Sequence, residues 1–323
     1  MRRIAIVSDI HYAGPGEFAH GPNFEFAGAP PSFGKSLATL YRNFIWMRNP
    51  VGNNHLLDRF LDRAGTPDLV IANGDYTCDA AGLGVAHDEA LESVQLCLGK
   101  LRACFGDRLH AIMGDHELGK VTLLGHRGGL RLQAWHRATG TCGLRPFWRL
   151  ELGRFVLLGV TSTLIGLPMM RADALPAEWA EWERLRVEHL AEIRAAFTAL
   201  EPQQRVLLFC HDPSALPHLW REDAVRARTS QITHTIVGHL HTRILMWKTR
   251  LLAGLPPLRG CGVSLQRMTS ALSEAKHWRP FKPSLCPSLA GIQMLRGGGY
   301  LTMDLDETGA QPPQISSHKM LRN

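Results

Sequence analysis

The stretch Ile4-Ala5-Ile6-Val7-Ser8-Asp9-Ile10-His11 joins a short apolar run to an aspartate and a histidine. An apolar run of this length, bounded by polar residues, is typical of a strand that is buried on both faces. A rigid sheet can present ligands from the loops at the ends of its strands. The stretch therefore predicts a buried strand with functional side chains directly behind it.

Four further blocks of polar residues follow apolar runs in the same way. They are Gly74-Asp75 behind Leu69–Ala72, Gly114-Asp115-His116-Glu117 behind Leu109–Met113, His211 behind Val206–Cys210, and Gly238-His239-Leu240-His241 behind Thr235–Val237. The five blocks together hold three aspartates and five histidines. Carboxylate oxygens mixed with imidazole nitrogens suit Mn²⁺, Fe or Zn²⁺. The pattern therefore predicts a pair of metal ions and chemistry on a phosphate ester.

In their order, these blocks resemble the calcineurin-like metallophosphoesterase superfamily, whose pattern is D-x-H, G-D, G-N-H-[DE], H and G-H-x-H. The match extends from Asp9 to His241, about three quarters of the chain. Each block alone is weak evidence, because a single histidine usually has no metal role. His239 and His241, however, have no packing reason to occur behind a strand end together with Asp9 and His11. The resemblance implies an α/β fold of two packed mixed β-sheets flanked by helices, an αββα sandwich.

The resemblance also implies a role for each residue of the blocks. Asp9, His11 and His241 would hold the first metal ion, Asp115, His211 and His239 the second, and Asp75 would bridge the two. Mn²⁺ is the expected metal, with Fe and Zn²⁺ as alternatives, and the two ions would activate a hydroxide that attacks phosphorus. His116 would donate a proton to the leaving oxygen or stabilise the transition state. Glu117 would orient the His116 imidazole, the alternative being a solvated charge.

One residue departs from the family's pattern, since Asp115 stands where the family has asparagine. Asparagine would offer a neutral carbonyl ligand and an NH₂ group that donates to the substrate phosphate. An ionised aspartate binds metal more strongly, has no donor, and adds a negative charge where an anion must bind. Three interpretations are open: the enzyme works with Asp115 at an altered rate, the site has lapsed into a binding role, or the substitution is engineered. A working or once-working hydrolase is favoured, because every other block is intact.

Composition narrows the class of protein and its compartment. At 323 residues, with 45% hydrophobic and 20% charged residues, the chain is an ordinary globular protein. Its seven cysteines are odd in number and include no C-x-x-C pair, which predicts free thiols in a reducing compartment. The amino terminus leads at once into the strand before Asp9, so a cleaved signal peptide is not expected. Since no long apolar run occurs either, the sequence predicts a cytoplasmic protein.

Apolar periodicity predicts strands that alternate with helices, as in an α/β architecture. Helices are expected over residues 37–48, 55–64, 86–104 and 178–199, and strands without a metal block over 155–160 and 300–304. The spread of the blocks requires residues 1–241 to close as one catalytic core, with an insertion over about 13–55 beside the site. Residues 242–298 are expected to form a basic cap or extension, which either covers the site or packs behind it, and residues 299–323 the last core strand and a tail.

The net charge of +7 comes entirely from residues 242–323, which hold 11 basic and 4 acidic side chains. Such a segment is either a solvated surface or a cap that meets an anionic partner. The expected partner is an anionic phosphoester with a phosphodiester or pyrophosphate bond. The apolar helix over 37–48 and the basic cap, which contains Trp247 and Trp278, favour a lipid- or nucleotide-linked pyrophosphate. Peripheral contact with an anionic membrane would accompany such a substrate.

Two other functions are open. A DNA or RNA nuclease would also use a basic surface with aromatic side chains, but the net charge is modest for a protein dedicated to nucleic acid. A catalytically weakened metal-binding scaffold is the third possibility, which is suggested by Asp115 in place of the family's asparagine. The oligomeric state does not follow from the sequence.

Overall fold

The computed structural model describes residues 1–122, 124, 127–240, 254, 273–292 and 298–320. Its strands are β1 (Arg2–Val7), β2 (Leu69–Ala72), β3 (Leu109–Ala111), β4 (Phe147–Leu152), β5 (Phe155–Val160), β6 (Arg205–Cys210), β7 (Ile232–Val237), β8 (Pro283–Leu285), β9 (Gly299–Leu305) and β10 (Gln314–Lys319). Its α-helices are α1 (Pro15–His20), α2 (Phe33–Tyr41), α3 (His55–Arg63), α4 (Asp88–Phe105), α5 (Asp115–Leu118), α6 (Leu132–His136), α7 (Ser162–Ile165), α8 (Trp179–Thr198), α9 (Leu216–Arg221) and α10 (Asp223–Ala227).

Shorter helical segments complete the described part of the chain. π-Helical turns extend α2 over Arg42–Trp46 and α6 over Arg137–Thr141. The 3₁₀ segments are Phe24–Phe26, Gly84–Ala86, Gly106–Arg108, Leu167–Asp173, Pro176–Glu178, Pro213–Ala215, Thr229–Gln231 and Ala275–Phe281.

The first sheet has the strand order β10-β9-β1-β2-β3. Strands β1, β2 and β3 run parallel, whereas β9 is antiparallel to both β1 and β10. Successive side chains of a strand point to opposite faces, so Ile4 and Ile6 share one face of β1 while Ala5 and Val7 share the other. All four are fully buried, which means that both faces of the sheet are covered.

The second sheet has the strand order β4-β5-β6-β7-β8. Strands β5 to β8 run parallel and β4 is antiparallel to β5, so this sheet is mixed as well. Its inner face, with Leu157 and Phe209, packs against Ile4 and Ile6 of the first sheet. Helices α3 and α4 cover the outer face of the first sheet, and α8 covers that of the second. The predicted αββα sandwich is confirmed.

Most of the predicted elements occur close to their predicted positions. The helices expected over 55–64, 86–104 and 178–199 are α3, α4 and α8, and the strands expected over 155–160 and 300–304 are β5 and β9. The helix expected over 37–48 begins earlier, at Phe33, and continues as a π-helical turn. Its earlier start has a local cause, because the Ser32 hydroxyl accepts a hydrogen bond from the N–H of Lys35 as an N-cap.

Three strands were not predicted, namely β4, β8 and β10. Strand β8 lies within residues 242–298, the segment expected to form a cap, and it pairs in parallel with β7 at the edge of the second sheet. The 3₁₀ segment before it buries Trp278 and Phe281 in the core. Part of the predicted cap therefore completes the sandwich. Most of the rest of that segment, including Trp247, lies outside the described residues.

Two further expectations concern the chain's surroundings. Among the helices that the structure describes, none is both long and apolar enough to cross a membrane. The six cysteines in the described part of the chain are free thiols, as predicted: Cys78, Cys97, Cys104, Cys142, Cys210 and Cys286. Five of these are buried, which is usual for cysteine as a small apolar residue.

Candidate metal centre

The loops behind the parallel strands converge at one edge of the sandwich. The N–H of Asp9 donates to the carbonyl of Gly74 (3.1 Å), and the N–H of His11 donates to the carbonyl of Asp75 (3.0 Å). Between the two sheets, the N–H of His239 donates to Asp9 Oδ1 (2.9 Å). These bonds bring the loops behind β1, β2 and β7 together, because parallel strands present their carboxyl ends on the same side. His241 of the last block lies outside the described residues.

Four residues of the blocks have backbone angles in the left-handed region. Their φ values are 51° for Asp9, 47° for His11, 59° for Asp75 and 59° for His239. A non-glycine residue in this region costs roughly 1–3 kcal/mol, and such residues concentrate at functional sites. At each of these residues, the left-handed backbone conformation changes the direction of the chain close to the end of its strand. The rigid sheets on which the loops are anchored maintain this conformation.

Two groups of potential metal ligands share Asp75. The members are Asp75, Asp115, His211 and His239 in one group, and His11, Asp75 and His116 in the other, with ligand atoms within 4.8 Å of one another in each. Asp75 Oδ2 lies 3.0 Å from His211 Nε2 and 3.8 Å from His11 Nε2. Asp75 therefore stands between the groups, where a ligand that bridges two ions is needed. Asp9 belongs to neither group, although it contacts the backbone of His239.

Backbone carbonyls orient three of the imidazoles. Nδ1 of His11 faces the carbonyl of Thr77 (3.2 Å), Nδ1 of His116 that of Cys78 (3.0 Å), and Nδ1 of His211 that of Asn73 (2.6 Å). Since a carbonyl can only accept, each Nδ1 donates, and Nε2 of the neutral ring carries a lone pair. His211 Nε2 and Asp75 Oδ2 are then two acceptors that face each other at 3.0 Å. Such a pair requires a cation or a proton between its atoms.

The charge of the cluster also favours cations. Burial alone would lower the pKa of His239, but Asp115 and Asp212 raise it to about 9. Burial would likewise lower the pKa of His211, which Asp75 and Asp115 raise well above its ordinary value. The buried Oδ2 atoms of Asp75 and Asp115 accept no hydrogen bond from the described residues. Carboxylates and imidazoles are the donor set of Mn²⁺, Fe and Zn²⁺, so the residues present fit divalent cations.

Glu117 has a different role from the predicted one. Its carboxylate is fully buried and accepts three backbone N–H groups, from Gly114 (2.8 Å), Asp75 (3.0 Å) and Tyr76 (2.7 Å). Both of its oxygens are bound by these N–H groups, and Nδ1 of the His116 imidazole has another partner. The carbonyl of Cys78 orients that ring instead. Glu117 therefore fastens the Asp75 loop to the start of α5, and it is not a solvated charge.

The pKa of Glu117 follows from the same surroundings. Burial, together with the charge of Asp75, raises it to about 8, although the three N–H donors favour the ionised form.

Lys120 is a residue of the site that the sequence analysis missed. Its Nζ lies 3.3 Å from Asp115 Oδ2 and contacts Nε2 of His116. Burial alone would lower the pKa of Lys120, but Asp115 and Asp75, with more distant carboxylates, raise it. The side chains of Lys120 and His239 are 27% and 28% exposed, whereas those of His11, Asp75 and His211 are almost completely buried. Spacing could have identified Lys120, which follows His116 by four residues.

Glu17, in the segment predicted as an insertion, also supports the site from outside the blocks. Its buried carboxylate accepts hydrogen bonds from the Thr77 hydroxyl (2.7 Å) and from the N–H groups of Cys78 (3.3 Å) and Ala80 (3.2 Å). Burial raises the pKa of Glu17. Because the carbonyl of Cys78 holds His116, helix α1 indirectly positions a predicted catalytic side chain. No sequence motif marks Glu17, since its partners are about 60 residues away.

Comparison with known proteins supports the same chemistry. The family model for calcineurin-like phosphoesterases matches residues 2–243. A dimetal phosphatase from Danio rerio is similar in structure, with a TM-score of 0.52 and 13% identity over 99% of this chain and 96% of that chain. At this identity the likeness shows a shared fold alone. A search of curated proteins found no match.

Two further solved structures are more distant. A purple acid phosphatase from yellow lupin (Lupinus luteus) has a TM-score of 0.39 and 10% identity, over 74% of this chain and 38% of that chain. A 5′-nucleotidase from Staphylococcus aureus, named as such provisionally, has a TM-score of 0.41 and 12% identity, over 99% of this chain and 54% of that chain. The family model, in contrast, covers most of the sequence, including every block. The chain belongs to the calcineurin-like phosphoesterase family of metal-dependent hydrolases.

Proposed function

We propose that this hydrolase cleaves a phosphodiester or pyrophosphate bond at a pair of divalent ions, Mn²⁺ in the first instance. The ligands would be Asp9, His11, Asp75, Asp115, His211, His239 and His241. The observation that carries the proposal is that two groups of ligand atoms share Asp75. Bound ions would supply Lewis acidity at the phosphoryl oxygens and would acidify a water molecule. The strained, sheet-anchored loops would hold the ligands ready, so little reorganisation would accompany the reaction.

His116 is the proposed proton donor to the leaving oxygen. The carbonyl of Cys78 occupies its Nδ1, so Nε2 is the ring nitrogen that faces the site. A proton delivered to the substrate would leave from that atom. Cys78 and, through it, Glu17 would keep the ring in this orientation, as a general acid requires.

We propose further that the substrate carries an apolar group next to its phosphate, as a lipid-linked pyrophosphate does. Apolar side chains of the segment 13–55 are exposed, to between 55% and 84% for Phe33, Leu37, Leu40 and Phe44. These four, which we call the apolar face, have the spacing of one side of a helix. The same segment packs against the site, because Val51 contacts Cys78. Exposed apolar area of this kind suits an amphiphile or the surface of an anionic membrane.

A cytoplasmic location fits this proposal. The free thiols at six described positions suit a reducing compartment, where a substrate of this class would be reached from the inner side of a membrane.

Hydrolysis of bis-p-nitrophenyl phosphate and p-nitrophenyl phosphate tests the reaction, after treatment with EDTA and re-addition of Mn²⁺. We expect Mn²⁺-dependent turnover, a preference for the diester, and a loss of roughly 10²–10⁴-fold in His116→Ala. His136→Ala, which removes an exposed imidazole at the end of α6, should keep full activity. Preference for the monoester would contradict the proposed bond type. Two bound ions per chain without turnover would favour the scaffold interpretation.

The substrate class needs a second experiment. We expect the triple variant Leu37→Ser, Leu40→Ser, Phe44→Ser to lose about thirtyfold in kcat/KM for CDP-diacylglycerol in mixed micelles, because about 2 kcal/mol of apolar contact is removed. Its kcat/KM for bis-p-nitrophenyl phosphate should not change. An equal change in kcat/KM for the two probes, or no change for either, would contradict the role of the apolar face. Cleavage of single-stranded DNA with strongly salt-dependent binding would favour the nuclease instead.

A further inference from the structure

Asp115 lowers the net positive charge of the metal-loaded site, and we call this loss the charge deficit. With Asp9, Asp75 and Asp115 ionised, two divalent ions leave a net charge of about +1, against about +2 if residue 115 were neutral. The substrate phosphate is an anion, so its binding weakens as the net positive charge falls. Asp115 also has no N–H group with which to donate to a phosphoryl oxygen.

Lys120 lies where this deficit arises. Its Nζ is 3.3 Å from Asp115 Oδ2, while Oδ1 of the same carboxylate faces His239 Nδ1 at 3.0 Å and His211 Nε2 at 3.5 Å. One oxygen is thus directed at the imidazoles and the other at the ammonium group. The positive charge of Lys120 offsets the negative charge that Asp115 adds.

The ammonium group also has the donors that Asp115 lacks. It carries three N–H donors, and its Nζ forms an ion pair with Asp115 Oδ2 at 3.3 Å. The side chain is 27% exposed, so the ammonium group is not sealed inside the protein.

Backbone hydrogen bonds hold the loop on both sides of this residue. The N–H of Lys120 donates to the carbonyl of Gly82 (3.1 Å), and the N–H of Gly119 donates to the carbonyl of Asp115 (3.0 Å). The backbone therefore anchors residues 119 and 120 on its own. An ammonium group directed at a metal ligand is then explained by charge and not by folding.

We propose that Lys120 and Asp115 act as one unit in phosphate binding. Lys120 supplies a positive charge and an N–H donor, and neither would be needed if residue 115 were asparagine. The inference rests on the proposed function, since it assigns Lys120 to the substrate phosphate of that same site. It makes Lys120 a substrate-binding residue and explains how a site with Asp115 can work.

A double-mutant cycle tests the unit: wild type, Asp115→Asn, Lys120→Met and the double variant. Two affinities are measured in each, that of Mn²⁺ by titration with metal analysis and that of inorganic phosphate by ³¹P relaxation from bound Mn²⁺. We expect Lys120→Met to raise the Mn²⁺ affinity, because a cation is removed, and to lower the phosphate affinity about tenfold. In the double variant the phosphate affinity should return to within about threefold of wild type, since the charge is again balanced.

The opposite directions of the two changes separate this role from a structural one. If Lys120→Met lowers both affinities, or if the double variant binds phosphate as weakly as Lys120→Met, the proposal is wrong. Lys120→Arg should keep phosphate binding, because it retains the charge and the donors. The matched control is the surface pair Lys100 and Asp58, 2.7 Å apart, whose variants Lys100→Met and Asp58→Asn should change neither affinity. Wild type that binds Mn²⁺ and phosphate without turnover contradicts the proposed function, while the cycle still decides the role of Lys120.

Discussion

Gly74 and Glu117 determine, as single residues, how closely the ligand-bearing loops approach one another. Gly74 has a φ of +90°, and a Cβ atom at this position would lie 2.8 Å from both Gly114 N and His211 Nδ1. The carboxylate of Glu117 joins the loops behind β2 and β3, because it accepts hydrogen bonds from three backbone N–H groups. The position of Asp75 between the two ligand groups therefore depends on the absence of a side chain at Gly74 and on the carboxylate of Glu117.

Gly74→Ala should destabilise the protein by more than about 2 kcal/mol and lower its Mn²⁺ content, because the added methyl group pushes the loops apart. Gly65→Ala is the matched control, since Gly65 also has a positive φ of +66° but has nothing within 4 Å of its Cβ position. It should lose only the cost of the left-handed backbone, roughly 1–2 kcal/mol, and keep its metal. Urea denaturation and metal analysis measure both effects. Equal metal loss in the two variants would contradict the close-approach argument.

Glu117→Ala should leave three buried N–H groups without their acceptor. We expect a loss of about 2–4 kcal/mol in unfolding free energy and roughly 10–100-fold weaker Mn²⁺ binding, because the Asp75 loop is no longer held. Glu188→Ala, which removes only an exposed ion pair with Arg184, should change either quantity little. Calorimetry and Mn²⁺ titration provide the measurements. Unchanged metal affinity in Glu117→Ala would show that the hydrogen bonds to Glu117 do not affect metal binding.

Helix α2 is an unusual element, since none of its residues is buried. A free helix of nine residues is marginal in water, so α2 depends on its ends more than a core helix does. Ser32 caps its first turn, and the buried Arg42, directly after α2, donates to the carbonyl of Pro22 (2.9 Å). The apolar face contributes little to folding, which is why it can serve a substrate or a membrane.

Ser32→Ala should destabilise α2 locally by about 1 kcal/mol, because the cap of the first turn is lost. Hydrogen exchange should become faster for the amides of residues 33–41, while the global unfolding midpoint stays the same. Ser36→Ala is the control, since its hydroxyl donates to the Ser32 carbonyl (3.3 Å) and caps nothing. A lower global midpoint in Ser32→Ala would mean that α2 is part of the core after all.

The stability of the whole molecule should depend on pH through His218. Burial, with the nearby Arg221 and Arg186, lowers the pKa of this histidine to about 4, against 6.5 in the unfolded chain. The unfolded chain therefore binds more protons between these values, so stability is complete above pH 6.5 and falls as the pH decreases toward 4. The loss amounts to about 3 kcal/mol at most.

Urea denaturation of wild type and His218→Asn at pH 7.5 and 4.5 measures this contribution. Wild type should lose more stability between the two pH values than His218→Asn does, because the variant has no buried group to protonate there. His136→Asn, which changes an exposed imidazole, should behave as wild type. An equal pH dependence in wild type and His218→Asn would contradict the assignment.

Much of this molecule could be predicted from local pattern. The strands behind the blocks and the amphipathic helices α3, α4 and α8 have periodicities of their own, and the ligand candidates follow them directly. Strands β8 and β10 could not be predicted in this way. β8 has only three residues, and β10, Gln314–Lys319, is polar along an exposed edge of its sheet. A strand without an apolar run is identified only by its partner.

The family, the αββα sandwich and the candidate ligands could thus be read from the chain alone, because each depends on residues that lie next to one another. The distant partners of Glu117 and Glu17 could not. Two of the three N–H donors of Glu117 lie about 40 residues away, and the partners of Glu17 lie about 60 residues away. Contacts of this kind arise from the parallel pairing of β1, β2 and β3, which brings distant loops to one edge of the first sheet, and a local pattern holds no information about them.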